Sequence, residues 1–518
     1  MRRLLLSVGP VLVSIALAGA LWLHAQRGIP FALRSGDAYE YAEMARRLVA
    51  GEGFTTGVIY PVELGFGVHD AHPTVMRPPL WPLMIAPVFA ATGPSEPAAH
   101  GLLVCLYLAI VALATALAQS RAGPLAGLVT GLALALSPHL RVLAQDGLSE
   151  TAFAFFVLLA FALFEWRRSA WLVGLACGLA YLVRYNGLVL APMLGLALMW
   201  RAHRGSGRLL SRWAGWRPII LAGLPVGLAF VLVAAPWWLR NYMVAGNPIY
   251  SPLNLNLYFS SLTLAPHSSL LYALEPDPSA PGTMAPLAKL ARQLPSLLIA
   301  WPFLSANLVA CVGVLLACVR RDLASWAWLG VALATTGIVA VALPMGRYFV
   351  PFLPPLVALG TSALWRHAGL FRLPGLALVL IIAPFPFFPK EPMDLAFARG
   401  ALVAERARLA AEPGSTEAEA RALARLAACL SDRPLVVSER AAWLNWKTGA
   451  LAIYTPTREE DLERIIERYP VRFLQRRPSP ESMASAARLG FHPRPDCAPD
   501  LYERLSDTER FHQTEQPE

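Results

Sequence analysis

The chain has 518 residues, of which 56% are hydrophobic and only 15% charged. Soluble domains average about 25% charged residues, so this deficit excludes an ordinary water-soluble enzyme of the same length. The formal net charge of +10 comes largely from arginines clustered between apolar runs. That pattern orients membrane proteins, and no basic stripe with interleaved aromatics points to nucleic acid.

The first apolar run, 4–24, follows Arg2 and Arg3 and ends in Leu21-Trp22-Leu23-His24. That ending is a poor cleavage site and the run is long enough to span, so it is read as a retained first helix, amino terminus inside. Further apolar stretches lie at 97–118, 123–143, 151–165, 170–183, 187–200, 218–238, 295–319, 323–343, 348–365 and 373–388. A helix satisfies its own backbone in lipid, so about eleven transmembrane helices are predicted. With the amino terminus inside, every inside segment carries arginine: Arg2 and Arg3, Arg121, Arg167 and Arg168, Arg201 to Arg217, Arg320 and Arg321, Arg366 with Arg372.

Two long outside segments remain, 25–96 and 239–294, and loops of that size usually carry function. Asp37 to Val49 has helical spacing, with Tyr41, Ala45 and Leu48 on one face, and is expected to lie along the membrane surface. Arg77 to Ala91 is apolar but proline-rich and is expected to be interfacial or re-entrant.

From Lys390 the composition turns soluble. Residues 395–429 read as helix. Pro434–Ser438, Ala450–Tyr454 and Val471–Leu474 read as strands, and Thr457–Tyr469 as a capped helix between the last two. The expected fold is an all-α polytopic membrane domain, 1–389, with interfacial helices in its first outside loop, and a small C-terminal α/β extracytoplasmic domain, 390–518. Cys429 and Cys497 in that tail are a candidate disulfide, whereas Cys105, Cys177, Cys311 and Cys318 fall in apolar runs as small buried hydrophobes.

The residues suited to chemistry lie on the expected outer face. Asp37 starts the amphipathic segment after Ser35-Gly36; it is either a helix cap or a carboxylate able to take a proton from a hydroxyl. Glu40 lies one turn further on. Arg77, before Pro78-Pro79, is either a phosphate ligand or a snorkelling side chain. Asp146 and Glu150 could bind a divalent metal or a sugar hydroxyl, or could cap the next helix. Arg184-Tyr185, Arg240-Asn241-Tyr242 and Arg347-Tyr348 place three arginines beside tyrosines against the positive-inside tendency, as a lipid phosphate on that face would require. His69-Asp70-Ala71-His72 is read as a solvated loop, and no phosphate-binding loop, dinucleotide fingerprint or nucleophile elbow is present.

In order and placement these elements resemble the polytopic membrane glycosyltransferases of the C-type fold (GT-C). The bacterial relatives of dolichyl-phosphate-mannose-protein mannosyltransferases and the lipid A aminoarabinose transferases are most similar. The resemblance rests on Gly36-Asp37-Ala38-Tyr39-Glu40-Tyr41 with Gly51-Glu52-Gly53, Arg77-Pro78-Pro79-Leu80-Trp81-Pro82, and Leu148-Ser149-Glu150. It continues through Leu182-Val183-Arg184, Pro236-Trp237-Trp238-Leu239-Arg240-Asn241-Tyr242 with Gly246-Asn247-Pro248, and Arg347-Tyr348 before Pro351.

It implies a hexosyl- or pentosyltransferase that moves a sugar, with inversion, from a polyprenyl-phosphate donor to a hydroxyl acceptor at the outer face of the cytoplasmic membrane. By this resemblance Asp37 is the catalytic residue, orienting or deprotonating the acceptor. Arg347, Arg240, Arg184, Arg77 and Tyr348 bind the donor phosphate, and Asp146, Glu150 and Glu40 are acceptor or metal candidates, since a divalent metal assists some members. Protein mannosyltransferases carry an Asp-Glu pair in the first loop, whereas Ala38 follows Asp37 here; that departure counts against a protein acceptor and favours a bacterial-type enzyme whose acceptor (glycolipid, glycan or protein) is unassigned. The alternative from another class is a transporter or flippase of a lipid-linked or anionic solute, which would call for polar groups inside the spans and an internal repeat.

Overall fold

The computed structural model describes residues 2–29, 31–206, 213–258, 270–277, 279, 284–304, 308–342, 345–367 and 415–504. The helices of the first half are α1 (Arg2–Gln26), α2 (Gly36–Val49), α3 (Leu80–Thr92), α4 (Glu96–Ala122), α5 (Pro124–Leu136), α6 (Pro138–Gln145) and α7 (Glu150–Glu165). They are followed by α8 (Ala170–Val183), α9 (Leu190–Ser206), α10 (Trp213–Ala245), α11 (Pro286–Leu304), α12 (Leu308–Val319), α13 (Leu323–Val341) and α14 (Leu353–His367).

Among the described residues five helical stretches are long and apolar enough to cross a membrane: Val8–Gln26, Glu96–Ala122, Arg217–Ala245, Leu323–Val341 and Gly346–Arg366. Helices α5 and α6 make a sixth if taken together, but they bend by 56° at Ser137-Pro138, where proline removes a backbone donor and crowds the preceding turn. The expected stretch 123–143 is therefore two helices at an angle, not one straight helix. The stretches at 151–165, 170–183 and 187–200 form α7, α8 and α9, whose described 16, 14 and 17 residues are shorter than the average crossing of about 20. The expected single span at 295–319 is two helices, α11 and α12, and the one at 373–388 lies outside the described residues, as do the expected domain boundary and residues 395–414.

Helix α2 begins where expected. Ser35 is its cap, accepting from the Ala38 amide at 3.1 Å, which leaves Asp37 in the first turn with its carboxylate available for other partners. Helix α3 covers the proline-rich stretch in 13 residues, too short to span.

The C-terminal part is built on a six-stranded sheet of order β1-β3-β2-β4-β6-β5. Strands β2 (Leu435–Ser438), β3 (Leu451–Tyr454) and β4 (Val471–Gln475) occupy the three expected runs and pair in parallel. The short strands β5 (Phe491–Pro493) and β6 (Leu501–Arg504) add an antiparallel edge. At the other edge lies β1 (Val58–Ile59), contributed by the first outside loop and paired in parallel with Ala452 and Ile453. The sheet thus incorporates a piece of the membrane domain's first loop.

The helix Glu459–Arg468 buries Leu462, Ile465 and Ile466 on one face against the sheet, beside Val437, Ile453 and Leu474. It starts later than expected: its cap is Arg458, which makes no side-chain cap bond. Cys429 and Cys497 are joined in a disulfide, their Cα atoms 6.0 Å apart and 68 residues apart in sequence.

Polar contacts fix this domain to the helices. Glu96, at the start of α4, accepts from the Leu33 amide at 2.7 Å, the Trp446 indole at 2.9 Å and the Lys447 ammonium at 2.5 Å. Arg46 of α2 donates to the Trp446 carbonyl at 3.0 Å. His72, read above as part of a solvated loop, is instead buried, its Nδ1 2.9 Å from the Gly67 carbonyl.

Candidate active site

At the end of the bundle that carries the C-terminal sheet, α2, the loop before α3, the start of α7, the end of α8 and the start of the last described span bring six charged side chains together. Arg77 is central. Its Nη2 lies 2.6 Å from Asp37 Oδ1 and its Nε 2.8 Å from Glu40 Oε2. Asp37 and Glu40 are one helical turn apart on α2, so one planar guanidinium spans both carboxylates.

The second oxygen of Asp37 faces Arg347 Nη2 at 3.3 Å. Arg347 Nε in turn lies 3.5 Å from Glu150 Oε1, and Glu150 Oε2 lies 3.0 Å from Arg184 Nη1. The Arg184 and Arg347 guanidiniums sit over the Tyr348 ring at 5.0 and 5.5 Å from its centroid. Asp37, Arg77, Arg184, Arg347, Tyr348, Glu150 and Glu40 therefore belong to one network, assembled from positions 310 residues apart.

Arg240 is not in it. Its Nη1 and Nη2 donate to the Thr74 and Phe54 carbonyls at 2.9 and 2.8 Å, and its guanidinium stacks on Phe54 and Trp237. These contacts tie the end of α10 to the first loop. The sequence could not separate this arginine from the other two, because all three precede or follow an aromatic residue at a helix end.

Asp146 follows α6 and stands apart from the paired carboxylates. Among the described residues it makes no side-chain hydrogen bond or ion pair, although Arg347, Glu150, Arg34 and Asp37 all act on it electrostatically. Its position is set by Gly147, whose φ of +84° is a left-handed conformation and whose missing Cβ would lie 2.7 Å from Ala38 Cβ. Only glycine lets this turn close against α2. Arg34 holds the same turn by donating to the Gln145 carbonyl at 3.0 Å.

The two aspartates are tuned in opposite directions. Burial raises the Asp37 carboxyl, but Arg77, Arg347 and Arg184 outweigh it and leave the value lowered to about 2. For Asp146 burial prevails over Arg347, and the carboxyl is raised to about 7.

Three tyrosines that sequence reasoning did not single out close the site on the side of the soluble domain. Tyr60 and Tyr454 donate to Glu40 Oε1 at 2.7 and 3.0 Å, and Tyr272 packs against both rings, 5.5 Å from each centroid. Nothing local marks Tyr454, which is simply the last residue of β3.

In this arrangement the cluster offers one unengaged carboxylate, Asp146, and no ready set of three metal ligands. Glu40, Asp37 and Glu150 are each engaged by guanidiniums. Among the described residues the one group of three possible ligands within reach of one another is Cys429, Asp496 and Cys497, whose sulfurs are bonded together.

No family model and no curated protein matches the chain. Solved structures do. ArnT from Cupriavidus metallidurans bound to undecaprenyl phosphate aligns with a TM-score of 0.57 at 16% identity, over 97% of this chain and 99% of that one. The Archaeoglobus fulgidus oligosaccharyltransferase in complex with zinc and sulfate aligns with a TM-score of 0.56 at 12% identity, over 90% of this chain and 67% of that one. The same archaeal enzyme, AglB, with an inhibitory peptide and a dolichol-phosphate gives 0.54. Near-complete coverage at such low identity is a statement about architecture: the chain shares the fold of ArnT and of the archaeal oligosaccharyltransferase.

Proposed function

We propose that this protein is a membrane glycosyltransferase that moves a sugar, with inversion, from a polyprenyl phosphate to a hydroxyl acceptor. The observation that carries the reading is Asp37 held between Arg77 and Arg347, beside the unpaired Asp146, at one end of a GT-C bundle. In this reaction the acceptor oxygen attacks the anomeric carbon, the bond from that carbon to the phosphate oxygen breaks, and the hydroxyl proton must leave. Negative charge grows on the departing phosphate, so fixed cations near it stabilise the transition state.

Arg347 and Arg184, with Tyr348 between them, are suited to that phosphate. Asp37 has both oxygens engaged and a low proton affinity, which suits it to orient the acceptor hydroxyl and balance charge. Asp146, with its raised value, is the better proton acceptor. Arg77 and Glu40 hold Asp37 in place, and Arg240 acts as a structural clamp. ArnT has been crystallised with undecaprenyl phosphate and AglB with a dolichol-phosphate, which supports a long-chain polyprenyl carrier here. No step is routed through a metal ion.

The soluble domain and the acidic cluster share one end of the bundle, while Arg121, Arg201 and Arg366 gather at the other. The positive-inside tendency then puts the active site and the C-terminal domain outside the cytoplasmic membrane, with the amino terminus inside. The test is transfer of labelled sugar from a panel of polyprenyl-phosphate sugars by purified protein and by Asp37→Asn. Transfer by the wild type that disappears in a folded Asp37→Asn variant supports the reading; equal transfer by both removes Asp37 from the mechanism. No transfer from any donor, with movement of the lipid-linked sugar across vesicle membranes, would favour a flippase.

A further inference from the structure

The end of the bundle away from Asp37 carries a feature that the proposed reaction does not use. Arg121 ends α4, 25 residues beyond Glu96, or about 38 Å along the helix. There α9, α12 and α13 leave an apolar cavity of about 700 Å³, lined by Met193, Leu196, Trp200, Val319, Leu323 and Trp326. It shares Trp200, Arg204 and Leu323 with a polar cavity of about 380 Å³. An apolar slot therefore runs into a charged mouth at the depth where the helices end.

Among the described residues the mouth is cationic in excess: Arg121, Arg167, Arg201, Arg204 and Arg366 line it against Glu165 and Asp322. Both carboxylates are already shared: Arg121 pairs with Glu165 and with Asp322 (2.9 Å), Arg201 reaches Glu165 at 4.0 Å, and Arg366 reaches Asp322 at 3.8 Å. Arg167 and Arg204 have no carboxylate within 4.0 Å among the described residues. Arg204 instead lies over the Trp200 ring at 5.5 Å from its centroid. Arg167 in the polar cavity and Arg321 in the apolar one both adopt left-handed backbone, with φ of 51° and 60°. Each turns the chain at a helix end where glycine would be the unstrained choice.

We infer that this paired cavity binds an anionic glycerophospholipid of the leaflet opposite the candidate active site, acyl chain in the apolar slot and phosphate among Arg167, Arg204 and Arg366. Charge decides the class of lipid. The mouth holds five guanidiniums against two carboxylates, and the ammonium of a zwitterionic headgroup would add to the excess. Guanidiniums match phosphate oxygens in geometry, and tryptophans such as Trp200 and Trp326 favour the interfacial depth. A polyprenyl phosphate is the poorer occupant, because its phosphate must reach the Asp37 end for chemistry.

The test is native mass spectrometry of the purified full-length protein with phosphatidylglycerol, phosphatidylcholine or undecaprenyl phosphate added in turn. Preferential retention of phosphatidylglycerol is expected, with a loss of about thirtyfold in the Arg167→Gln/Arg204→Gln double variant, near fivefold for each arginine. Leu196→Trp fills the apolar slot, leaves every charge in place, and should lose retention as well; it covers the case in which the double variant fails to fold. Equal retention of phosphatidylcholine, retention unchanged in both variants, or preferential capture of undecaprenyl phosphate at this end would each overturn the assignment.

Discussion

The Tyr454 hydroxyl donates to Glu40 Oε1 at 3.0 Å although 414 residues separate the two. Through that bond the soluble sheet reaches the network around Asp37, because Glu40 also holds Arg77, and Arg77 holds Asp37. The C-terminal domain is thus part of the wall that sets the geometry of the site. Tyr454→Phe removes one bond from Glu40 and leaves Tyr60 and Arg77 on it. A loss of about 1 kcal/mol is expected, seen as a fall of roughly fivefold in kcat with little change in thermal midpoint. Initial rates together with a melting curve check this, and an unchanged kcat would mean that the domain only covers the site.

Arg77 is expected to be the residue on which the whole cluster depends. It is buried and bridges two carboxylates, so Arg77→Met leaves Asp37 and Glu40 without their shared counter-charge. Breaking a buried pair in this way costs about 3–5 kcal/mol. A marked drop in thermal midpoint in detergent is expected for Arg77→Met. Arg77→Lys should recover part of the stability but little of the activity, because a point charge cannot bridge Asp37 and Glu40 as a fork does.

How far the sequence reveals this arrangement depends on whether the determining pattern is local. Helix α2 and strands β2, β3 and β4 are legible because amphipathic spacing and short β-branched runs are written in consecutive residues. The recruitment of Val58-Ile59 into the sheet is not, since two residues carry no periodicity and their partners lie almost 400 positions away. The same non-locality hides Tyr454 and Tyr272. Arg240 shows the opposite problem: its aromatic neighbourhood looks like that of Arg184 and Arg347, but backbone carbonyls from the first loop occupy it.

Asp146 should govern the pH dependence of turnover. A base works in its ionised form, and burial raises this carboxyl to about 7. The rate is therefore expected to rise as pH increases through about 7 and then level off. Asp146→Asn should flatten that limb and reduce kcat by about 10²–10⁴-fold. A pH–rate profile of wild type and variant checks both, and a profile unchanged in Asp146→Asn would return the role of base to Asp37.

Glu63 predicts a pH dependence of stability that does not involve turnover. It is fully buried beside β1; Oε1 accepts from Thr74 at 3.0 Å and the Val75 amide at 3.3 Å, while Oε2 has no partner among the described residues. Burial raises its carboxyl to about 7, against the lowering effect of those two bonds and of Arg77. Between the ordinary value of 4.5 and about 7 the folded chain keeps a proton that the unfolded chain has released. Stability should accordingly fall as pH rises through that window, by up to about 1.4 kcal/mol per pH unit for this group. Thermal midpoints of wild type and Glu63→Gln measured from pH 4.5 to 8 check this, and the variant should show a shallower decline.

The Cys429–Cys497 bond closes a loop of 68 residues, which contains four of the six strands and the helices Ala441–Thr448, Glu459–Arg468 and Pro480–Arg488. Chain-entropy arguments give a cross-link over that length a stabilisation of about 4 kcal/mol, acting on the unfolded state of this domain. Its strands also hold β1, and Trp446 and Lys447 hold Glu96, so loosening the domain should be felt at α2. Reduction under mild conditions, or Cys429→Ser/Cys497→Ser, is expected to expose the domain to protease first and to lower sugar transfer second. Limited proteolysis followed over time alongside the transfer rate separates the two events. If transfer falls before any cleavage appears, the sheet positions Glu40 continuously; if it falls only with cleavage, the domain contributes as a fixed cover.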